Sequence, residues 1–552
     1  MDMFQLFYRK VKNSDLITKM ESILGLSNVH NYNPIFNRFF SLNHNNWNRI
    51  QFNTVWELKD INPTTERVFP CTLSKENKEK NKNVFFKFSP LLDPLKYVVG
   101  KYQDSDLAIP EFEKQAYFKT QDVNNSGYVD GFFCYLSSQL LHNYGFLHGV
   151  DFYGSFNALK SDFKFNVEDD LEYFQDSDFF HRNINKLFKL SEEFSAVTSR
   201  KFKPSIIIQH DVLIDIETIV DESVDKSVYT CVDTCTVDKS VDTCVDKSVD
   251  TCVDKSVDTC VDKSVDTCVD KSVDESVDES VDESDDTKSS NTGSDKSTED
   301  DDWSDDSNYE EPMITINSFP VHVICVEGCH DTIDNIMIQD IHHEEVASAL
   351  MQIIMTLITY QKVFDFTHND LHTNNIMFVK TEEEFVYYCY ESVYYKVPTF
   401  GKLYKIIDFG RAVYRYKSNR FVSDSFHKDG DAATQYNIEP YLDSKKNGIE
   451  PNHSFDLCRL ACSMLDLLPE QDCDLKKLIE EWCLDDKDRN VLYKKNREER
   501  YPNFKLYKMI ARTVHKHTPT NQLKKEIFKQ YAILQTLVLT PLMNIDAIPV
   551  MV

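Results

Sequence analysis

Apolar residues recur at helical spacing from Tyr128 to Tyr144, as Phe132, Phe133, Leu136, Leu140 and Leu141, and predict a helix there. A second helix, with a long apolar face, is expected over His342 to Val363. Between residues 50 and 100 come short apolar runs with strand character, RIQFNTVWEL, RVFPCTL and NVFFKFS. VDFYGSF (Val150 to Phe156) and VHVICVEGC (Val321 to Cys329) read as further strands, the second buried and leaving through a turn. A long insertion is expected between them, from about 157 to 319. TEEEFVYYCYESVYYKVPTFGKLY alternates as a hairpin does. Residues 1–50 look helical and Asn-rich, with no chemical signature. The most apolar stretch, Tyr531 to Val552, contains Pro541, Asp546 and Pro549, so a docked tail is expected rather than a membrane span.

Inside the insertion the pattern turns periodic. Ser240 to Lys271 is the octad SVDTCVDK four times over, followed by SVDE starting at Ser272, Ser276 and Ser280. Val, Asp, Thr and Ser are poor helix formers, and Val at every fourth position makes only a thin stripe. A calcium-binding repeat needs turn-forming glycines, and this stretch has none before Gly293. A disordered acidic linker is expected, suited to a basic partner if to any.

Composition sharpens this. The 552 residues are 41% hydrophobic, with 37 Phe and 27 Tyr, enough for a large core. The formal net charge is −30, and 221–311, with 30 acidic residues, 8 Lys and no Arg, carries −22 of it. The body is therefore only mildly acidic, and direct nucleic-acid binding is not expected. Six of the 15 Cys fall in the repeat, and none of the 15 forms a CxxC pair with zinc spacing. Exposed repeat thiols and the lack of an apolar leader in MDMFQLFYRKVKNSD point to a soluble protein in a reducing compartment.

Two stretches carry chemistry. Thr367 to Phe378 reads THNDLHTNNIMF, a polar loop between an apolar helix and an apolar strand. A loop keeps that many polar side chains together where it faces a site. Lys405 to Gly410 reads KIIDFG, a strand ending in a carboxylate and a turn residue, which suits a hard cation. Asp370 and Asn375 are five apart, as in HRDLxxxN counted from its Asp, and Asp408 follows Asn375 by 33 residues. One Asp near a hydroxyl, with an Asn and an Asp for Mg²⁺, is the minimum set for phosphoryl transfer from ATP. A protein-kinase-like fold is expected, α+β and two-lobed, with the long acidic insertion in its N-lobe. NVFFKF then resembles VAIK, with Lys87 on the α- and β-phosphates. VICVEGC resembles the hinge strand, with Val326 as gatekeeper and Glu327 and Cys329 flanking the adenine. SFDLCRLACSML resembles the buried C-lobe helix, with Asp456 bonding the catalytic-loop backbone.

GFFCYLSSQLLHNYGFLHGVDFYGSF, THNDLHTNNIMF, KVPTFGKLYKIIDFGRAVYRYK, GDAATQYNIEPY and SFDLCRLACSM together resemble the serine/threonine protein kinases of giant amoeba-infecting DNA viruses of the mimivirus type. The resemblance covers roughly 80–156 and 320–530. It implies a virion or host-cytoplasm location and a protein substrate. It also implies a layout of N-terminal extension and first N-lobe strands (1–80), N-lobe (81–156), partly ordered insertion (157–220), acidic linker (221–311), last N-lobe strand and hinge (312–330), C-lobe (331–530) and apolar tail (531–552). By the same resemblance Asn375 and Asp408 hold Mg²⁺, Asp370 takes the hydroxyl proton, His368 is structural, and Gly410 completes the DFG turn.

Several positions depart from the pattern. No glycine lies between Gly25 and Gly100, so the Gly-rich loop is missing. The helix after Lys87 shows no obvious Glu: the expected position falls near Ser137 to Gln139, and Asp130 is the nearest acid. Asn369 replaces the Arg of HRD, so loop phosphorylation is not the expected on-switch. His372 stands where a Lys is usual, a feature closer to aminoglycoside and choline kinases, and is expected to meet the transferring phosphate in protonated form. Arg411 and Arg415 are expected to meet an acidic substrate or the linker. NIEPY, with Glu439 and Pro440, is the nearest match to APE. A small-molecule kinase and a pseudokinase scaffold displaying the linker are the alternatives.

Overall fold

A computed structural model describes residues 3–168, 174, 177–191, 311–338, 342–436, 448–468, 473–502, 504–534 and 540–552. The Val-Asp repeat and NIEPY lie outside the described residues. The described chain is α+β. Its N-terminal half centres on an antiparallel sheet. Helix α1 (Ser14–Leu24) precedes β1 (Leu26–His30), and β2 (Glu57–Ile61), β3 (Phe69–Lys75) and β4 (Lys78–Pro90) form a meander. Helix α2 (Ser126–Tyr144) follows, then β5 (Phe152–Asn166), β6 (Phe188–Leu190) and β7 (Met313–Glu327). The strand order is β1-β5-β7-β4-β3-β2, with β6 paired to β7.

Alternation along the strands decides which side chains meet α2. On β7, Val321, Val323 and Cys325 enter one core while Ile324 faces the other, packed with α2. On β4, Val84 and Phe86 enter the first core, which turns Phe85 and Lys87 to the opposite face. Helix α2 starts where the Asn125 side chain accepts from the Gly127 N–H, and ends at Gly145 (φ +67, left-handed), whose N–H returns to the Leu140 carbonyl. Nearly the whole helix is buried, so any acid on it needs a partner.

The C-terminal half is built round α3 (His343–Phe364), followed by β8 (Ile376–Lys380), β9 (Phe385–Tyr390), β10 (Val393–Pro398) and β11 (Lys402–Ile406), then α4 (Phe455–Met464) and α5 (Lys505–Thr513). Among the described residues only α3 is long and apolar enough to cross a membrane, and it is the buried centre of this half. Its C-terminus and β8 flank the polar loop, and β8 pairs with β11 from Ile376↔Ile406 to Lys380↔Lys402. That pairing sets the loop beside Asp408.

The expected hairpin is present as β9 and β10, paired from Phe385↔Pro398 to Tyr390↔Val393. The tail docks: β12 (Leu542–Asn544) runs parallel to β9, and the Met551 N–H donates to the Val363 carbonyl at 2.9 Å. Two expectations need correction. Residues 1–50 are not mainly helical: Gly25 alone turns α1 into β1, short strands lie at Tyr8–Lys10 and Ile50–Phe52, and the polar Asn-rich stretch between β1 and Ile50 is mostly turns. The insertion also begins later than 157: β5 and β7 stay paired out to Asn166↔Met313, beyond the apolar run, because main-chain bonding continues where alternation weakens.

Candidate active site

Lys87 stands near the end of β4 and bridges two carboxylates. Its Nζ is 2.6 Å from Asp130 Oδ2 on α2 and 2.7 Å from Asp408 Oδ1. Asp130 Oδ1 in turn accepts the Phe409 N–H at 3.0 Å. One buried helix carboxylate therefore ties the Lys strand to the segment after β11. This corrects the expected position of the helix acid. It is Asp130 and not a residue near Ser137 to Gln139, whose side chains bond elsewhere: Ser137 to Tyr360, Ser138 to Asp151 and Gln139 to the Asn53 carbonyl and Asn143.

The charges set each other. Burial pulls the Lys87 ammonium down, but Asp130 and Asp408 outweigh it and raise its pKa. Desolvation pushes the Asp408 carboxyl up, but Lys87 holds it well below the usual carboxylate range. Asp130 is raised by its burial, with Asp408 adding to the effect and Lys87 opposing it. Asp408 has φ +64, the left-handed region, at the turn into Phe409. Phe409 is buried against Phe133 of α2, ring centroids 4.6 Å apart, and against His368 at 5.7 Å. Gly410 donates its N–H to Asp408 Oδ1 at 3.4 Å.

The polar loop is anchored from below. Asp456, in the first turn of α4, is fully buried and accepts the N–H of His368 at 2.9 Å and of Asn369 at 3.0 Å. Burial, the largest influence, raises its pKa. Its expected contact with the loop backbone is thus present. His368 Nε2 reaches the Ile407 carbonyl at 2.9 Å, and Asn369 adopts φ +65. The Asn369 side chain meets the Arg411 carbonyl and the Tyr436 hydroxyl.

Asn375 donates Nδ2 to the Asp370 carbonyl at 2.9 Å and is 3.2 Å from His372 Nε2. Its Oδ1 is left without a partner among the described residues. His372 is therefore an acceptor toward Asn375. Burial, with Arg459 and His368 adding, lowers its pKa, while Asp370 and Asp408 oppose this. The His372 ring lies against Asn375 and orients it.

Asp370 has both carboxylate oxygens engaged. Oδ2 is 3.1 Å from Arg411 Nη1, and Oδ1 accepts the Tyr507 hydroxyl at 2.7 Å. Arg411 also reaches Asp431 Oδ2 at 2.9 Å. Arg415 is paired with Asp365 and Glu450. Both arginines expected to await an acidic partner are thus satisfied within the chain. Asp370, Asp408, Gly410, Arg411 and Asp431 line one cleft of about 440 Å³.

The strand exit differs in detail from expectation. Val326 is half-buried and pairs with Phe85 and Phe152. The Glu327 carboxylate forms an ion pair with buried Lys405 and accepts the Asp151 N–H at 2.9 Å. Cys329 is half-buried, and burial pushes its thiol up to about 12. The turn between β2 and β3 carries no glycine; Arg67 lies over the Phe85 ring at 5.4 Å. Gly328 permits the close approach of that turn, since a Cβ there would sit 3.1 Å from Val68 Cγ1 and 3.2 Å from the Asn83 carbonyl.

Among the described residues no three His, Cys, Asp or Glu side chains group as a metal site. A Mg²⁺ ion needs no such group, because one or two protein oxygens suffice when phosphates and water complete its shell. Asp408 and Asn375 Oδ1 are hard oxygen donors of that kind. Sequence reasoning missed Asp130 as the Lys87 partner and missed Tyr507 altogether. No protein-family model matches this chain, and no curated protein matches it significantly.

Proposed function

We propose that this chain is an ATP- and Mg²⁺-dependent phosphotransferase with a two-lobed, protein-kinase-like fold, which transfers the γ-phosphate to a protein hydroxyl. The observation that carries this reading is a convergence in one cleft. Lys87 joins a helix carboxylate to Asp408, while Asp370 and Asn375 share a loop pinned by Asp456. Lys87 lies on the third strand of a meander and pairs with α2, the long helix that follows, as the phosphate-binding Lys of kinases pairs with a helix carboxylate. Asp130 supplies the carboxylate in place of Glu.

Electrostatics and positioning do most of the catalysis in this reaction class. Asp408 and Asn375 Oδ1 would hold Mg²⁺, which when bound neutralises phosphate charge. Lys87 exchanges its contact with Asp408 for the α- and β-phosphates and keeps Asp130. Asp370 orients the acceptor hydroxyl and takes its proton. His372 and Asp456 position Asn375 and the loop. Arg411 spans Asp370 and Asp431, so an acidic residue already does what a loop phosphate does in other kinases.

The scaffold alternative draws on the two groups already bonded to Asp370, which an incoming hydroxyl must displace. The small-molecule alternative rested on His372, whose ring is engaged with Asn375. Transfer of labelled γ-phosphate from Mg·ATP to generic basic and acidic proteins tests the reading. Transfer that is lost in Asp370→Asn supports it. Absence of both transfer and Mg·ATP binding favours the scaffold.

A further inference from the structure

The phenol of Tyr507 stands where an acceptor hydroxyl belongs. Its O–H donates to Asp370 Oδ1 at 2.7 Å, the bond a substrate must make before giving up its proton. The ring is fixed there from α5. It stacks on Phe504, centroids 4.8 Å apart and 4° from parallel, and packs on Phe455. Two guanidinium groups flank it, with Arg459 Cζ at 4.9 Å and Arg411 Cζ at 5.9 Å from its centroid. Burial, the largest influence, raises the phenol pKa, with Arg459 opposing and Asp370 adding, so it keeps a proton to donate.

We propose that Tyr507 is a phosphate acceptor in cis: the enzyme phosphorylates its own Tyr507 hydroxyl. The inference rests on the phosphotransferase reading and adds an acceptor to it. The Tyr507 oxygen forms a bond to the γ-phosphorus, the bond from that phosphorus to the β,γ-bridging oxygen breaks, ADP leaves, and the phenolic proton passes to Asp370. The product dianion is repelled by Asp370 and attracted by Arg411 and Arg459, which moves the ring off the carboxylate. The first turnover therefore uncovers Asp370 for a second acceptor.

The test uses the full chain with Mg·ATP and no added substrate, followed by peptide mapping. Phosphate on Tyr507, at a rate independent of protein concentration and reduced at least about 100-fold in Asp370→Asn, supports the inference. In Tyr507→Phe this label is lost, while transfer to an added protein rises because the competing hydroxyl is gone. Transfer to an added protein with Tyr507 unmodified overturns the inference and leaves the kinase reading intact. A Tyr507 label that rises with protein concentration also overturns it, since the acceptor is then another copy. No transfer to any acceptor and no Mg·ATP binding overturns both.

Discussion

Asp130→Ala is the most informative single change. The carboxylate does two jobs: it holds Lys87 and it satisfies the Phe409 N–H from within the core. Removing it leaves that N–H buried without a partner, at a cost of about 1–3 kcal/mol. Lys87 is partly exposed and keeps Asp408 at 2.7 Å, so loss of this ion pair adds no more than about 1 kcal/mol. A destabilisation of roughly 3 kcal/mol follows, measurable as a lower denaturation midpoint at constant slope. The functional loss is separate. Freed from the helix, Lys87 follows Asp408, and a misplacement of about 1 Å costs on the order of 100-fold in transfer rate. A variant within about 0.5 kcal/mol of the parent, with unchanged transfer, would show that α2 does not fix Lys87 and would refute the reasoning.

Asp456→Ala strands two loop N–H groups and should cost roughly 3–5 kcal/mol in denaturant unfolding, with transfer lost as the loop relaxes. His30, His148 and His322 are buried, and burial lowers them to about 4, about 4 and about 3. The unfolded chain binds their protons first, near pH ~6.5, so stability is full above that value and falls as pH drops toward ~4. At pH ~5 each should cost roughly 2 kcal/mol; equal denaturation midpoints at pH ~7 and ~5 would contradict this. A serine/threonine-specific phosphatase, which spares Tyr507, should leave transfer unchanged, because Asp431 already holds Arg411; a loss restored by rephosphorylating the Arg411 to Glu439 segment would say otherwise. Deleting residues 221–311 should preserve soluble expression and transfer, since Leu190 and Ile314 are paired and bring the flanking chain together; aggregation of the deletion would give the repeat a structural role.

What the sequence made legible follows from how local each signal is. Asp370, Asn375 and Asp408 stand in short motifs, so their spacing announced them, and the apolar runs located β4, β7, α2 and α3. The strand order did not follow from the runs, because pairing of β7 between β4 and β5 is non-local. Asp130 was visible as an acid but not as the Lys87 partner: position along a helix fixes its direction, and the turn from which α2 meets the sheet is set by tertiary packing. An acid inside GYVDGFFCYL, an otherwise apolar run, was the signal available. His372 looked like a cation because its neutral form depends on burial and on Asn375, neither of which spacing reveals. Tyr507 sits 137 residues from Asp370 on an ordinary amphipathic helix, so nothing in its neighbourhood marked it.

The most direct test is Mg²⁺-dependent transfer of labelled γ-phosphate from ATP by the full chain, with Lys87→Met and Asp370→Asn beside it. Incorporation into protein that both substitutions abolish, with Mg·ATP affinity weakened only by Lys87→Met, is the predicted result. Mg·ATP binding that is absent, or transfer that survives Asp370→Asn, would contradict a phosphotransferase centred on this cleft.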